Sequence, residues 1–411
     1  MTRDVIVFKN HEIEFRQVRS DQPSWLRLTL RLAGFGQAKQ ALTQLCRVAI
    51  SHSLGNPSKY LSRSTWGKIM QKRSVLLRIM GLLLAPIVAF NLQSQDKSPL
   101  KLIQKIPMPN VQGRLDHFGV DVKGGRLFVA ALGDNQNTVE VIDLRSGKWV
   151  SSIPGQSKPQ GLFYSPNFKK LFVANGTDGT CKIFAGDTFK LIDNLPIGTD
   201  ADHVGYDPAT KYLYVGFGDA KSGGLAIIDT RNNTHVGDIK TDARSGGIKI
   251  EKSRPQTFVT LTGATNLGVV DLKKREQITV WPTGVPSNVA LALDEGNHRL
   301  FDGVREPATL IVLDTDSGKK VSQVEGVAGI DDLWYDAAHK RVYASGGRGF
   351  EVGFVYTYQQ KDADHYDLIA RVPTAPGAGT SFWSPELNRF YVAAPANDKE
   401  EAAILVFEPQ P

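Results

Sequence analysis

The chain has 411 residues and a formal net charge of +7, which taken alone would suggest an anionic partner such as nucleic acid. The charge is unevenly distributed. Residues 1–94 hold 14 Lys and Arg against 4 Asp and Glu, so residues 95–411 hold 35 against 38. The basic character belongs to the N-terminal segment, and we expect no nucleic-acid partner for the rest of the chain.

Residues 1–69 show no clear strand alternation, no long helical stripe and no repeat. They precede Met70, where a segment resembling a secretory signal begins. We therefore expect translation to start at Met70, with residues 1–69 being an over-extended gene prediction. The alternative is a genuine N-terminal extension without regular structure.

Residues 70–94 have the build of a signal peptide: the basic stretch MQKRS, the apolar stretch VLLRIMGLLLAPIVAF and a polar exit. An uncleaved membrane anchor is the alternative, although a span usually needs about 20 apolar residues and Arg78 and Pro86 interrupt this shorter run. The segment predicts a periplasmic or secreted protein of bacterial origin, attached to a membrane only if the segment stays uncleaved. Cys46 and Cys181 lie on opposite sides of the expected cleavage, so the exported chain cannot form an internal disulfide.

From about residue 115 the sequence repeats itself. Seven copies of a turn followed by a strand like RLFV begin at residues 121, 165, 207, 251, 294, 336 and 384, at intervals of 44, 42, 44, 43, 42 and 48 residues. Each copy holds four short β patterns, which in the first are FGVDV, RLFVAAL, TVEVIDL and KWVSSIP. Four antiparallel strands at this period predict the blade of a β-propeller.

The seventh copy holds only three strands before the chain ends at Pro411. The missing fourth strand is predicted at residues 100–109, LKLIQKIPMP, which match the outer strands of other copies. The predicted fold of residues 95–411 is therefore an all-β, seven-bladed β-propeller of four-stranded antiparallel blades. An N-terminal strand completes the last blade and removes the exposed sheet edges.

Three segments carry a resemblance to a known family: RLFVAALGDNQNTVEVIDLRSGK at 126–148, LFVANGTDGT at 171–180 and FYVAAP at 390–395. They resemble the YVTN-type propeller repeat of exported bacterial proteins, within the lactonase-like and quinoprotein amine dehydrogenase β-chain-like group. The resemblance implies the propeller fold over residues 100–410. It does not imply one activity, because that group includes enzymes, cofactor scaffolds and proteins without known chemistry.

The first strand of each blade lines the central channel of a propeller, and its first residues emerge at one rim. Aligning the repeats brings two histidines and four carboxylates to this rim: Asp116, His117, Asp202, His203, Asp331 and Asp332. The same alignment places four arginines at or near this face: Arg114, Arg244, Arg305 and Arg348. Trp334 and Trp383 fall on first strands, where they either pack between blades or face the channel.

Two interpretations of the histidines remain open. His117, His203 and Asp332 could hold a divalent metal or provide a general base, while the arginines could bind a carboxylate or phosphate. Alternatively, each histidine could bond within its own blade to the aspartate of the facing loop, Asp134 or Asp219, as structural support of the kind found in WD-type propellers.

These observations predict a binding or interaction scaffold that uses the channel mouth and one loop face, without established catalysis or cofactor. Its partner would be a small molecule or a protein, and the chain is expected to be a monomer. A lactonase-like or metal-assisted hydrolase is the alternative, although HExxH, GxSxG and P-loop motifs are all missing from the sequence. A redox-associated propeller is a further alternative that would need a separate subunit, because the sequence has no haem-attachment CxxCH.

Overall fold

The computed structural model describes residues 3–9, 12–18, 28–31, 98–133 and 137–411. The chain divides into two compact units, Met1–Phe90 and Asn91–Pro411. In the first unit, an antiparallel sheet is formed by three consecutive strands, β1 (Arg3–Lys9), β2 (Glu12–Val18) and β3 (Leu28–Arg31). The sequence of residues 1–69 does not predict these strands.

The signal segment predicted at residues 70–94 lies outside the described residues, so its assignment stays a prediction. Within the described part of the chain, no helix has the length and apolar character needed to cross a membrane. Regular helix there is limited to one short 3₁₀ turn, Glu295–Asn297, which follows the first strand of the fifth blade.

The second unit contains seven four-stranded antiparallel sheets. Blade 1 consists of β5 (Arg114–Asp121), β6 (Arg126–Leu132), β7 (Asn137–Asp143) and β8 (Lys148–Ile153). Blade 2 consists of β9 (Pro159–Ser165), β10 (Lys170–Asn175), β11 (Thr180–Ala185) and β12 (Leu191–Pro196). Blade 3 consists of β13 (Val204–Asp207), β14 (Tyr212–Gly218), β15 (Gly223–Asp229) and β16 (Thr234–Thr241).

The remaining blades follow the same order. Blade 4 consists of β17 (Ser245–Glu251), β18 (Gln256–Leu261), β19 (Asn266–Asp271) and β20 (Glu276–Pro282). Blade 5 consists of β21 (Asn288–Asp294), β22 (Arg299–Val304), β23 (Thr309–Asp314) and β24 (Lys320–Glu325). Blade 6 consists of β25 (Ile330–Asp336), β26 (Arg341–Gly346), β27 (Phe354–Gln360) and β28 (Tyr366–Pro373).

Blade 7 closes the ring and contains strands from both ends of the unit. It consists of β29 (Ser381–Ser384), β30 (Arg389–Ala394), β31 (Ala403–Pro409) and β4 (Leu100–Pro107). The N-terminal β4 pairs antiparallel with β31 at the outer edge of the blade, with Ile106 opposite Ile404. The seven-bladed propeller and its closure by the segment at 100–109 are both confirmed.

The hydrophobic core lies between neighbouring blades, because both faces of the middle strands are buried. In β6, Leu127 and Val129 pack with residues of blade 7, while Phe128 and Ala130 pack with residues of blade 2. Successive side chains of a strand point to opposite faces of its sheet, so one strand contributes to two cores. This is why the middle strands are almost continuously apolar.

Candidate functional site

The first strands of all seven blades line a central channel, and the predicted rim residues lie at one end of it. Arg114, Asp116 and His117 belong to β5, and Asp331 and Asp332 belong to β25. Three further residues lie immediately beside strands. Asp202 and His203 precede β13, and Arg244 precedes β17. Arg305 and Arg348 come from the loops that follow β22 and β26.

The two histidines meet although they belong to blades 1 and 3. The ring centroids of His117 and His203 are 4.2 Å apart. Gly161 of β9 occupies the equivalent position in the intervening blade 2, and a Cβ there would lie 2.0 Å from the backbone oxygen of Asp202. Because glycine has no side chain, blades 1 and 3 can bring their histidines together across blade 2.

Carboxylates from three blades surround these rings. His117 Nε2 lies 3.5 Å from Asp202 Oδ1 and 3.5 Å from Asp116 Oδ1, while His117 Nδ1 lies 3.4 Å from Asp332 Oδ1. His203 Nδ1 lies 3.5 Å from Asp202 Oδ1. One ligand atom from each of His117, Asp202 and His203 lies within 4.8 Å of the others. We call these three residues the His–Asp cluster.

The metal ligands predicted from the sequence were His117, His203 and Asp332. The His–Asp cluster contains the same two histidines but has a different carboxylate. Asp202, rather than Asp332, lies close to both histidines, whereas Asp332 faces the other ring nitrogen of His117. Asp332 Oδ2 also accepts a hydrogen bond from the backbone N–H of Ser381 at 2.9 Å. The repeat alignment places both carboxylates at the same rim but cannot show which ring nitrogen each one faces.

Several polar atoms of the cluster are buried without a hydrogen-bond partner among the described residues. These atoms are Asp202 Oδ1 and both ring nitrogens of His203. Asp202 is only 7% exposed, and an unsatisfied buried polar atom usually costs about 1–3 kcal/mol. A buried group that bears this cost in a native fold calls for an explanation such as an ion or ligand.

The structural support interpretation is wrong for blade 3. The Asp219 carboxylate accepts hydrogen bonds from the backbone N–H groups of Lys221 at 2.8 Å and Ser222 at 3.0 Å, so it supports its own turn. His203 makes no hydrogen bond to it. In blade 1 the corresponding Asp134 lies outside the described residues, so that half of the interpretation stays a prediction.

The charges around the cluster change the proton affinities of its members. Burial alone would raise the pKa of Asp202, but His203 and His117 outweigh it and hold that pKa well below its usual range. Burial alone would lower the pKa of His117, but the Asp332 and Asp116 carboxylates raise it well above its usual range. Burial raises the pKa of Asp116 to about 6, although His117 and Arg114 oppose the shift. This point in the fold therefore stabilises a positive charge.

Above the cluster, the rim encloses a polar cavity of about 650 Å³, which we call the mouth chamber. All four predicted arginines line it, each paired with a carboxylate. Arg114 pairs with Asp116, Arg244 with Asp202, and Arg305 and Arg348 with Asp331. Sequence reasoning missed Lys158 and Asp200, which form an ion pair of 2.6 Å at the same rim. The only sequence signal for these two residues is their place in the repeat: Lys158 lies two residues before Gln160, and Asp200 lies two residues before Asp202.

Below the cluster, the channel continues as a second cavity of about 310 Å³, which we call the aromatic chamber. His117 and His203 line both cavities and so separate one from the other. Trp383 is buried in the core between blades 6 and 7. Trp334 packs against the same core and also faces the aromatic chamber, so both predicted alternatives apply to it.

Comparisons with known proteins identify the fold class and no family. No family model and no curated protein sequence matches the chain. A chain of the mitotic checkpoint complex is 14% identical with a TM-score of 0.61, covering 75% of this chain and 91% of that chain. A chain of Kuenenia stuttgartiensis hydrazine synthase is 17% identical with a TM-score of 0.57 (72% and 96% covered). U3-55K is 10% identical with a TM-score of 0.59 (76% and 99% covered). At these identities the likeness shows the propeller fold alone.

Proposed function

We propose that this protein is a binding propeller whose channel mouth holds a divalent metal ion and, through it, a small anionic molecule. The observation that carries the proposal is the His–Asp cluster, in which two imidazoles and one carboxylate present ligand atoms within 4.8 Å of one another. Two histidines and one carboxylate are a recurring ligand set for zinc and for non-haem iron.

The surroundings of the cluster support this role. Arg244 pairs with Asp202 through Oδ2, which leaves Oδ1 for a metal. Asp332 lies at Nδ1 of His117, where its carboxylate would accept a hydrogen bond from Nδ1–H and leave Nε2 free as a ligand. A carboxylate on the far nitrogen of a metal-binding histidine orients the ring and raises its basicity.

The charge around the mouth chamber supports an anionic ligand. Five cationic side chains and five carboxylates lie in or beside this chamber, so their charges balance when the two histidines are neutral, as metal binding requires. The cations are Arg114, Lys158, Arg244, Arg305 and Arg348, and the carboxylates are Asp116, Asp200, Asp202, Asp331 and Asp332. A divalent ion would leave this region with an excess of positive charge, which favours an incoming carboxylate or phosphate.

Metal binding is the direct test. The purified protein, stripped with chelator, should bind one Zn²⁺ per chain in calorimetry, and the His117→Ala/His203→Ala variant should bind it more than about 100-fold more weakly. Asp332→Asn should weaken binding by about 10–100-fold, the range for a residue that orients a ligand. The matched control, His298→Ala/His365→Ala, removes two exposed histidines and should bind as the wild type does.

The proposal fails if the wild type takes up no Zn²⁺, or if the cluster variant keeps its affinity. Circular dichroism and thermal melting of each variant will identify any loss of binding that comes from unfolding. If the alanine variant does not fold, His117→Gln/His203→Gln provides the same comparison with polar side chains of closer size.

A metal-assisted hydrolase is the second candidate. Among the described residues the cluster offers three ligands, and catalytic zinc sites keep a fourth position for water or substrate. Hydrolysis of lactones or esters that depends on Zn²⁺ and is lost in the cluster variant would favour this candidate over binding alone.

We further propose that the protein is a YVTN-type propeller, exported as a monomer after cleavage of residues 70–94. The support is the basic and apolar build of that segment and the repeat motifs. The mass of the exported chain tests the cleavage.

A further inference from the structure

The aromatic chamber has a composition unlike that of the mouth chamber. Its walls combine apolar backbone and side chains with five aromatic rings, Phe118, Phe163, Tyr206, Trp334 and Phe382. Phe163 stacks on Tyr206 with centroids 4.3 Å apart, and Trp334 meets Phe382 edge-on at 5.3 Å. The two rings of each pair come from neighbouring blades, blades 2 and 3 for the first pair and blades 6 and 7 for the second. The aromatic surface therefore extends around the channel. Such walls suit a planar apolar ligand.

A single lysine reaches into this aromatic surface. Lys249 of β17 in blade 4 places its Nζ 4.6 Å from the ring centroid of Trp334 in blade 6. Among the described residues the ammonium forms no ion pair and donates no hydrogen bond, so its favourable contact is with the indole face. Lys249 is half-buried, and partial removal of an ammonium from water without a counter-charge is costly.

The nearest negative charge does not neutralise this lysine. Asp332 lines the same chamber, but it is engaged by His117 Nδ1 and by the Ser381 backbone N–H. Burial lowers the pKa of Lys249, and the Asp332 carboxylate offsets that effect only in part. The chamber therefore combines apolar walls with one cation that lacks a full partner.

We propose that the aromatic chamber binds an aromatic monocarboxylate, with its carboxylate on Lys249 Nζ and its ring between Trp334 and the facing aromatic side chains. One ammonium matches one carboxylate charge, whereas a phosphate dianion would be left under-compensated among apolar walls. The volume of about 310 Å³ lies at the low end of the range for ligand pockets. It therefore suits a ligand with one ring or two fused rings. The contact with Lys249 does not require the proposed metal ion, although His117 and His203 border both chambers.

Calorimetry with 2-naphthoate tests the proposal, using protein dialysed against chelator so that metal at the mouth cannot contribute. Wild type should bind one 2-naphthoate per chain and should prefer it by about tenfold or more over neutral 2-naphthalenemethanol, as expected for a charge-assisted contact. Lys249→Met should lose this preference and bind the two compounds alike. The matched control is Lys148→Met, which removes an exposed lysine and should retain it.

Lys249→Met is expected to fold, because methionine has a similar shape and removes a charge from a half-buried position. Lys249→Arg is the second variant and should keep the preference for the carboxylate. The proposal is overturned if wild type does not bind 2-naphthoate at millimolar concentration or binds the alcohol equally well, or if Lys249→Met keeps the preference. Binding that appears only after Zn²⁺ is added would place the ligand on the mouth metal and would also overturn it.

Discussion

At the scale of single residues, Asp302 stands where most copies of the repeat have a valine. The equivalent position in β6, β10, β14, β18 and β30 is valine, namely Val129, Val173, Val215, Val259 and Val392. Asp302 is 0% exposed, and neither of its carboxyl oxygens has a hydrogen-bond partner among the described residues. It lies opposite Leu291 and Ile311 in the sheet. Burial therefore raises its pKa well above the usual range.

Asp302→Val should stabilise the protein, with a gain that depends on pH. Because the folded-state pKa lies above the unfolded value of about 3.9, the folded protein holds a proton that the unfolded chain releases. The contribution of Asp302 to the free energy of unfolding is therefore most favourable below pH 4 and falls as pH rises, by up to about 1.4 kcal/mol per pH unit until the folded pKa is passed. Asp302→Val should remove this slope and add about 1–3 kcal/mol at neutral pH.

Urea unfolding of both proteins between pH 4 and pH 8 measures the effect. The reciprocal variant Val129→Asp introduces the same buried carboxyl in blade 1. It should therefore lower stability at neutral pH and make stability fall more steeply as pH rises. Parallel stability curves for wild type and Asp302→Val would show that Asp302 has a partner or solvent access in solution.

At the scale of structural elements, β9 controls how closely blades 1 and 3 approach. Its Gly161 lies against the backbone of Asp202, and an added Cβ would also lie 2.9 Å from Val204 Cγ1. The backbone that carries Asp202 and His203 would have to move away. The geometry of the His–Asp cluster thus depends on a residue that contributes no ligand.

Gly161→Ala should lower the affinity for Zn²⁺ by about tenfold or more, since small displacements of ligands cost metal binding. It should also lower stability by about 1–3 kcal/mol through overpacking. Calorimetry and urea unfolding measure the two effects. Gly296→Ala is the matched control, because a Cβ there meets only Asp294 Oδ1, at 3.5 Å, and both quantities should stay unchanged. Unaltered Zn²⁺ affinity in Gly161→Ala would mean that the cluster tolerates movement of its supporting strand.

At the scale of the whole molecule, β4 links the beginning of the propeller to its last blade. Leu100 and Ile106 are 2% and 1% exposed and belong to two different core clusters. Without β4, the backbone of β31 would become an open edge. Open edges pair readily with other strands and promote aggregation.

A chain that begins after residue 107 should therefore melt at a lower temperature and self-associate. A synthetic peptide of residues 100–109 should restore both properties by pairing with β31. Light scattering and thermal melting measure the rescue. The same peptide with Ile106→Asp serves as the control and should not rescue, because it buries a charge. A truncated chain that stays monomeric with an unchanged melting temperature would contradict a role of β4 in closure.

The sequence predicted the fold because the signals for it are local and repeated. Each turn and each apolar strand is specified by a few neighbouring residues. Because this pattern occurs seven times at similar intervals, it predicts seven blades that form a ring. Register within the repeat also predicted that Asp116, His117, Asp202, His203, Asp331 and Asp332 meet at one rim, and the structure places them close together there. Strands β1–β3 were missed because they stand outside the repeat and have no second copy to reveal their pattern.

The number of blades, the closing strand and the rim on which the charged residues gather all follow from the repeat in the sequence. Which side chains meet depends on the three-dimensional packing of the blades: Asp202 rather than Asp332 lies close to both histidines, and Lys249 contacts the indole ring of Trp334. The physical reason is that the repeat sets positions along each strand, whereas these contacts depend on the spacing and tilt of blades that are far apart in sequence. A small displacement of one blade relative to another changes which ring nitrogen faces which carboxylate.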